Sequence, residues 1–406
     1  MVAIATSKWR HPQKHYIKLI CKVLYFLGMR ECWYEKQSRP KYPVLYKVWT
    51  VICNIYIVVI LLNELLAYMR NDLNDKDRND LVLFTTAHPT IFSKILSLNY
   101  FRKRIVVVLQ RLLEGTRSIY HSLDLDNECV KESIKYTLVI CAASYFTLFS
   151  ATIDGIQTHL KDDTPIHIEI TYYPKASTHR GILVRIFQFF IEFHWWYIVA
   201  IMAAIDSLTI SSLVAVGYKF KLLQKYFKEL RTKFVENREH KNPVDLEEEF
   251  KKSFVVGIQM HEDALWCARN VQTALGTFYS IQVFECVSLI VMCLIKLVAA
   301  ERNMTYLLAT FTFIFCLILL TGAYMMAAGD ITHEAALVST SIFHCGWELT
   351  SGRGDLRVLA VVALQRSQVP VYMTAFGILT LSYSNFISVS KSNNKKYSEN
   401  KILHDL

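Results

Sequence analysis

Ionisable side chains occur inside several long apolar segments of this sequence. A charged side chain is costly in hydrocarbon, so such residues face protein or water and are candidates for function. Glu285 lies in the middle of the run IQVFECVSLIVMC, where it is either a structural polar contact or part of a cavity lining. Glu192, His194 and Asp206 lie deep in another segment, where hydrogen bonding between helices is the alternative to a functional role. The other ionisable residues in these segments are Glu64, His88, Lys94, Asp154, Arg185 and Lys296.

Three of the basic residues lie near the ends of their apolar segments. A long basic side chain in that position extends its charge to the membrane surface while its alkyl part stays in the apolar region. We therefore expect Lys94, Arg185 and Lys296 to act as surface anchors.

The sequence contains no recognisable motif of an enzyme. HEDAL at residues 261–265 and HEAAL at residues 333–337 both lack the second histidine of the zinc-protease motif HExxH. The chain has no glycine-rich phosphate loop, no GxSxG and no paired CxxC. We therefore expect no catalytic residue, no metal site and no cofactor.

Aromatic residues are concentrated in the run FQFFIEFHWWY at residues 187–197. This run extends through about three helical turns, which is deeper than an aromatic belt at a membrane surface. The pattern predicts either an apolar ligand pocket with a few orienting polar groups or ordinary packing between helices. The residues that we expect to bind a ligand are Phe84, His88, Tyr145, Phe149, Phe190, Phe193, His194 and Tyr306.

The composition and the apolar runs predict an all-α polytopic membrane protein. Hydrophobic residues make up 53% of the 406 residues and charged residues only 20%, and the alternating pattern of a membrane β-barrel does not occur. A membrane-spanning helix needs about 20 mostly apolar residues. Seven transmembrane helices are predicted, at residues 43–68, 80–98, 134–156, 181–215, 271–300 and 305–328, with a seventh that begins near Val369.

The distribution of Lys and Arg predicts how the helices are oriented. The segments 1–42, 99–132, 216–270 and 329–367 together contain 29 Lys and Arg, whereas the segments on the other side of the membrane contain 12. Basic residues accumulate on the cytoplasmic side. We therefore expect a cytosolic N-terminus and an outer C-terminus, the reverse of a G-protein-coupled receptor. Residues 1–15 lack the apolar region of a signal peptide, so we expect the first span to act as its own signal anchor.

Several helices are predicted to continue beyond the membrane. In GYKFKLLQKYFKELRTKFV at residues 217–235, apolar residues recur every three or four positions and form one face. The alternatives are a basic amphipathic pair on the inner leaflet and a helical stalk in the cytosol, which the acidic residues after Pro243 favour. We divide the chain into residues 1–328, with six spans, the ligand pocket and the cytosolic extensions at 216–270, and residues 329–406, with a cytosolic helix, the seventh helix and a polar tail.

Five sequence blocks resemble insect odorant receptors. IHIEITYYPKASTHRGILVRIFQFF resembles the second outer loop of that family, and AAIDSLTISSLVAVGYKFKLLQKYF resembles the end of its fourth span, including Asp206. GIQMHEDALWCARNVQTALGTFYSIQVFECVSLIVMCL, with His261, resembles the helix that leads into the fifth span. AGDITHEAALVSTSIFHCGWEL resembles the exit of the sixth span, with Gly329 and Trp347, and LQRSQVPVYMTAFGILTLSYSNF resembles the last block of the family.

This resemblance implies a subunit of an odorant-gated, non-selective cation channel. In that family a tuning subunit pairs with a shared coreceptor in a heterotetramer, in the plasma membrane of sensory neuron dendrites. Volatile ligands bind in the outer half of the bundle, and no nucleic acid is involved; besides the coreceptor and the ligand, membrane lipid is the expected partner. The short second inside loop is typical of a tuning subunit. The resemblance assigns Asp206, His261 and Trp347 to the anchor and interface region, and Ser382, Asn385 and Ile387 to the pore.

The last predicted helix is followed by a polar sequence, KSNNKKYSENK, at residues 391–401. A lysine facing lipid at a helix centre costs about 2.5–3.5 kcal/mol. Three explanations remain open: a frayed or truncated pore helix, a misassigned end of the gene, or a short helix whose lysines face a water-filled pore.

Three other classes of membrane protein are less compatible with the sequence. A gustatory receptor usually ends with Thr-Tyr followed by a Gln-Phe pair, which is not found. A G-protein-coupled receptor requires the opposite orientation and an Asp-Arg-Tyr or Asn-Pro-x-x-Tyr signature, which is also not found. A transporter predicts internal repeats with broken helices, and no such repeat is visible.

Overall fold

The structure is a computed structural model that describes residues 11–35, 43–115, 117–162, 170–172, 181–299, 304–350 and 354–387. These residues are almost entirely helical. The elements in chain order are α1 (Pro12–Phe26), α2 (Pro43–Ala67), α3 (Asp75–Glu114), α4 (Leu123–Asp162), α5 (Ile182–Asn237), α6 (Pro243–Ala299), α7 (Met304–Phe343), a 3₁₀ turn (Trp347–Leu349), α8 (Gly354–Ser367), and strands β1 (Thr374–Ala375) and β2 (Leu379–Thr380).

Six helices, α2 to α7, are long and apolar enough to cross a membrane. The six predicted spans at residues 43–328 are therefore confirmed as apolar helices, although the orientation of the bundle rests on the distribution of basic residues alone. Helix α5 has 56 residues, so its length of roughly 84 Å far exceeds the ~30 Å hydrocarbon core. Near its start exposed apolar side chains such as Phe189 alternate with buried ones such as Ile191, and from Ile198 onward most of its apolar side chains are buried.

The prediction that a seventh helix begins near Val369 is wrong. Residues 369–382 are not helical, and within them residues 374–380 form a short antiparallel hairpin in which Ala375 pairs with Leu379. Gly377 adopts a left-handed conformation, with φ 72°, and Phe376 does so with φ 56°, a conformation that favours glycine. Helical structure resumes at residues 383–387. The predicted polar tail, with its run of lysines, lies outside the described residues.

The helices α5 and α6 form a stalk beyond the membrane-spanning bundle. Phe220, Phe227 and the other apolar residues at this spacing in α5 are buried against α6. The ring centroids of Phe227 and Phe254 are 5.9 Å apart, and those of Phe234 and Phe250 are 5.0 Å apart. This apolar face is buried within the chain, as the stalk alternative predicts, whereas an amphipathic pair on the leaflet would turn it toward lipid.

Glycine permits the closest approach within the stalk. A Cβ atom at Gly257 of α6 would lie 2.6 Å from Cε1 of Phe227 on α5. That distance is shorter than any real carbon contact, so only glycine lets the two helix backbones approach across this ring. The resulting close packing holds the long helix pair together in the stalk.

Candidate functional site

A buried ion cluster lies where four long helices meet. The Lys94 ammonium on α3 donates hydrogen bonds to both carboxylate oxygens of Asp206 on α5, at 3.1 and 3.2 Å, and to Oε1 of Gln282 on α6, at 2.6 Å. It also lies 3.2 Å from Oε2 of Glu285 on α6. The Tyr324 hydroxyl on α7 donates to Oδ1 of Asp206 at 2.7 Å. The cluster therefore ties α3, α5, α6 and α7 together through one cation and two carboxylates.

The prediction that Lys94 acts as a surface anchor is wrong, because its side chain is 0% exposed. Carboxylates on two neighbouring helices supply the opposite charge that water supplies at a surface. Lys296 is also largely buried, since its ammonium pairs with Asp80 and lies 4.4 Å from the centroid of the Tyr306 ring. The side chain of Arg185 lies outside the part of the chain that the structure describes.

A second polar cluster lies on the side of the ion cluster that is farther from the stalk. Nδ1 of His88 on α3 and Oε1 of Glu64 on α2 are 2.5 Å apart. The ring of His194 on α5 is nearly perpendicular to that of His88, with centroids 5.7 Å apart, and its centroid is 5.3 Å from that of Tyr56 on α2. Because His88 precedes Lys94 by six residues, the two polar clusters are about 9 Å apart along α3.

An aromatic and aliphatic cluster adjoins the histidines. The rings of Phe84 and Trp195 meet edge to face with centroids 4.7 Å apart, and Trp195 also lies 5.7 Å from His88. Tyr145 is partly buried against this cluster and stacks on Trp196 at 5.9 Å. The buried apolar members of this cluster, from five helices, are Leu83, Phe84, Ala87, Leu148, Trp195, Cys286, Leu289, Cys293 and Leu317.

The structure brings some of the predicted ligand residues together and separates others. Phe84, His88, His194 and Tyr145 lie in or beside the aromatic and histidine clusters. The other four do not lie there. Phe149, Phe190 and Phe193 are 56%, 50% and 51% exposed on the outside of the bundle, and Tyr306 is buried at the start of α7 beside Lys296.

Sequence reasoning missed several members of these clusters. Gln282 precedes Glu285 by three residues on α6, so helical spacing places both side chains on one face. This spacing is visible in the sequence and could have predicted that Gln282 joins Glu285 in a polar cluster. Trp195 lies within the aromatic run but was not singled out. Tyr324 lies in the uncharged stretch of α7 at residues 305–328, and no pattern in the sequence distinguishes it from a packed aromatic residue.

The sequence matches the family described as 7tm Odorant receptor over residues 79–393, which is most of the chain. The chain belongs to the odorant receptor family. No curated protein matches the sequence of this receptor. Its fold is similar to that of the insect olfactory receptor OR5 from Machilis hrabei in complex with eugenol, with a TM-score of 0.75, 11% identity and coverage of 93% of this chain and 95% of that chain.

A second structure of the same relative supports the same fold. The structure of OR5 from Machilis hrabei described without eugenol matches with a TM-score of 0.75 and 11% identity, covering 94% of this chain and 96% of the other. At this identity the likeness shows the fold alone. The helical fold predicted for the receptor is therefore confirmed over nearly its whole length.

The last described helix of the receptor packs closely on α7. A Cβ atom at Gly322 would lie 3.0 Å from the ring of Phe386, and one at Gly329 would lie 3.1 Å from the ring of Tyr383. The Tyr383 hydroxyl donates a hydrogen bond to Asp330. Glycines spaced by seven residues thus form a shallow groove for two aromatic rings. Any side chain at either glycine would require the ring of Phe386 or Tyr383 to shift by a few tenths of an ångström, so glycine favours this close approach to α7.

Helix α6 holds the hairpin that precedes this helix. Nε2 of Gln272 donates to the Thr374 carbonyl at 2.8 Å, and the Thr374 N–H donates to Oε1 of Gln272 at 3.0 Å. The Phe376 N–H donates to the Ser280 hydroxyl at 2.8 Å. A cavity of about 460 Å³ lies between α6 and the turn. The receptor therefore connects α6 to its last described helix through directional hydrogen bonds rather than through packing alone.

The predicted pore residues lie around the start of the last described helix. The Asn385 side chain donates to the Thr380 carbonyl at 2.7 Å and to the Thr380 hydroxyl at 2.8 Å. The hydroxyls of Ser382 and Ser384 are 3.0 Å apart, and Ile387 is exposed. In this arrangement Asn385 stabilises the start of the helix. Of the three predicted pore residues, Ile387 has the exposed side chain that can contact a neighbouring subunit or solvent.

The residues that the resemblance assigned to the anchor and interface occupy three different environments. Asp206 belongs to the ion cluster inside the bundle, so it does not lie on an interface surface of the chain. His261 is buried in the stalk. Trp347 is partly exposed, and its indole N–H donates to the Phe343 carbonyl at 3.1 Å.

The stability of the receptor is expected to fall as the pH drops below about 6.5, the usual pKa of histidine. Burial lowers the pKa of His261; the nearby charge of Arg366 also lowers it, and that of Glu262 raises it by less than burial lowers it. The unfolded chain therefore binds a proton at His261 before the folded chain does, and folding loses stability as the pH falls through this range. The thermal midpoint of the detergent-solubilised protein, measured from pH 8 to pH 5, checks this.

The pH dependence of the thermal midpoint is compared between His261→Gln and the control His240→Gln, which replaces an exposed histidine instead of a buried one. The first variant should show a weaker loss of stability on acidification than the wild type, and the second should behave as the wild type does. An identical pH dependence in all three proteins would contradict the prediction.

Proposed function

We propose that this chain is an odorant receptor subunit that binds a small, largely apolar volatile in the half of the bundle opposite the stalk. The single observation that carries this proposal is the apolar cluster from five helices, with Phe84, Trp195 and Tyr145, which adjoins the two histidines. Ligand sites of small molecules are mostly apolar with a few well-placed polar groups. The half-exposed Phe149, Phe190 and Phe193, together with Tyr306, remain proposed contributors around its edge.

Ligand binding at this cluster gates a non-selective cation channel. Helix α3 carries both Phe84 and Lys94, so a shift of α3 reaches Gln282 and Glu285 on α6 through the ion cluster. Helix α6 in turn holds the hairpin through Gln272 and Ser280. A displacement at the cluster is thereby passed to the helix at residues 383–387, which contributes Asn385 and Ile387 to the pore, with Ser382 directly before it.

A coreceptor is the partner in this channel. The helix α8 exposes Val358, Val361 and Val362, which are about half exposed or more. An apolar face outside the membrane-spanning helices is suited to burial against another subunit. We therefore place the contacts of a heterotetramer at α8 and the adjoining Trp347 and His261 region of the stalk.

The orientation that we propose is a cytosolic N-terminus in a plasma membrane, as in the dendrite of a sensory neuron. The excess of Lys and Arg in residues 1–42 and in the other segments of the stalk side supports it. In this orientation the ligand cluster lies in the outer half of the bilayer and the stalk lies in the cytosol.

The proposed function is tested by expressing this chain with and without an odorant coreceptor and recording whole-cell current during application of volatile compounds. We expect current that requires both subunits, carries Na⁺ and K⁺, and begins without soluble G-protein components in excised patches. Current that disappears on patch excision and is restored by GTP would overturn the channel proposal.

A further inference from the structure

His194 is a buried histidine whose ring is not hydrogen bonded. Its side chain is 0% exposed, and both Nδ1 and Nε2 have no hydrogen-bond partner. Among the described residues, it is the one side chain with two such buried atoms. A neutral imidazole has one donor nitrogen and one acceptor nitrogen. Because buried polar groups in proteins are nearly always hydrogen bonded, His194 requires an explanation.

The nearest rings do not supply a partner to His194. Nδ1 of His88 faces Oε1 of Glu64 at 2.5 Å, and the Tyr56 hydroxyl donates to the Phe190 carbonyl at 2.6 Å. Both rings meet His194 at steep angles, 89° for His88 and 75° for Tyr56, with contacts between ring edges and faces. The polar atoms of His194 are therefore surrounded by aromatic surface rather than by hydrogen-bonding groups.

Trp195 adds a further donor on the other side of His88. Its side chain is buried, and Nε1 has no hydrogen-bond partner among the described residues. Its ring packs on Phe84 and His88 within the aromatic cluster. Since the indole N–H is a donor and one imidazole nitrogen is a donor, His194 and Trp195 together offer two donors and one acceptor to a bound molecule.

The charge of the surroundings selects the kind of molecule that these donors can bind. The Glu64 carboxylate lies next to His88, so an anionic ligand would meet a charge of the same sign. The apolar walls of the cluster, among them Leu83, Leu148 and Leu289, penalise any group with a net charge. A neutral acceptor such as a carbonyl, ether or hydroxyl oxygen satisfies a donor without that penalty.

We propose that the ligand of this receptor is a neutral oxygen-bearing volatile, whose oxygen accepts a hydrogen bond from His194 or Trp195 while the aromatic cluster packs on its hydrocarbon part. This inference rests on the proposed function and adds the chemical class of the ligand. His194 and Trp195 are then the residues that distinguish an oxygenated volatile from a hydrocarbon of the same shape.

The test uses pairs of volatiles that differ only in the oxygen, applied to cells that express this chain with a coreceptor. In one set C=CH₂ replaces C=O, as in α-methylstyrene and acetophenone, or 2-methyl-1-heptene and 2-heptanone. In the other set CH₃ replaces OH, as in toluene and phenol, or heptane and 1-hexanol. We expect the oxygenated member of an active pair to act at concentrations about tenfold lower, the worth of one hydrogen bond.

Variants then assign the preference to the two residues. The variants are His194→Leu and Trp195→Phe, and the one that removes the donating residue should raise the half-maximal concentration of the most potent oxygenated compound about tenfold. The same variant should leave the response to the matching hydrocarbon unchanged. His194→Gln, which keeps a donor and an acceptor, should restore part of the response. Phe189→Leu is the matched control, because Phe189 lies on the same helix and is exposed. Surface labelling confirms equal expression of all variants.

Each outcome separates this inference from the proposed function. Equal potency of hydrocarbons and oxygenated partners would overturn the ligand class and leave the receptor proposal intact. An equal loss of response to both members of a pair in the His194 and Trp195 variants would show that these residues are structural, and would also overturn the inference. Silence toward the whole panel, in cells where a coreceptor agonist still evokes current, would count against the proposed function itself.

Discussion

Replacing Lys94 with methionine should remove most of the folded receptor from the cell. The methionine side chain is similar in length, but it leaves the Asp206 and Glu285 carboxylates buried without a cation. Removing one partner of a buried ion pair typically costs about 3–5 kcal/mol, a large part of the free energy of unfolding of an ordinary protein. Size-exclusion chromatography of a fluorescently tagged receptor in detergent, with its thermal midpoint, measures the loss.

The control for this substitution is Lys135→Met, because the Lys135 side chain is 73% exposed. That variant should retain the elution profile and thermal midpoint of the wild type. A triple variant, Lys94→Met with Asp206→Asn and Glu285→Gln, should recover much of the lost stability because no unpaired charge remains in the interior. If Lys94→Met alone behaved as the wild type does, the ion cluster would not hold the four helices together.

Replacing Gly329 with leucine should abolish the ligand-gated current while the receptor still reaches the cell surface. The ring of Tyr383 lies where the new side chain would begin, since a Cβ atom there would be 3.1 Å from it. Leucine favours the helical conformation of α7 more than glycine does, so the helix itself persists. Overpacking of this kind costs about 1–3 kcal/mol, and here the cost is relieved when the last helix moves away from α7.

Gly354→Leu is the control for this prediction, because a Cβ atom at Gly354 would meet nothing within 4 Å. Whole-cell current with a coreceptor, normalised to surface labelling, should be lost in the Gly329 variant and kept in the Gly354 variant. Gly322→Leu should repeat the loss, since its Cβ would meet the Phe386 ring at 3.0 Å. Full current from the Gly329 variant would contradict the role that we give to this contact.

The helices of the receptor were predictable because each carries its own signal. A segment such as residues 305–328 contains no charged residue and is long enough to cross a bilayer, whatever its neighbours are. The stalk was predictable for a similar reason, since the spacing of Phe220, Phe227 and Phe234 places them on one face of α5 without reference to any other helix.

The start of the last helix was not predictable in this way. The segment from Val369 to Leu381 is apolar and matches the composition of a membrane helix. It forms a hairpin instead, because Gln272 and Ser280 of α6 bind its backbone and Phe376 and Gly377 adopt the left-handed conformation. Those interactions come from residues about 100 positions earlier in the chain, and no local pattern reveals them.

The amino-acid sequence by itself determined that this chain crosses a membrane several times, that its helices extend into a stalk, and that polar residues lie within its spans. Each of these depends on hydrophobicity and helical period, which are properties of one segment at a time. Only the tertiary structure decided that Lys94 is buried between Asp206 and Glu285, and that His194 faces aromatic rings without a hydrogen bond. The environment of a polar side chain depends on what neighbouring helices place around it, and those neighbours are distant in the sequence.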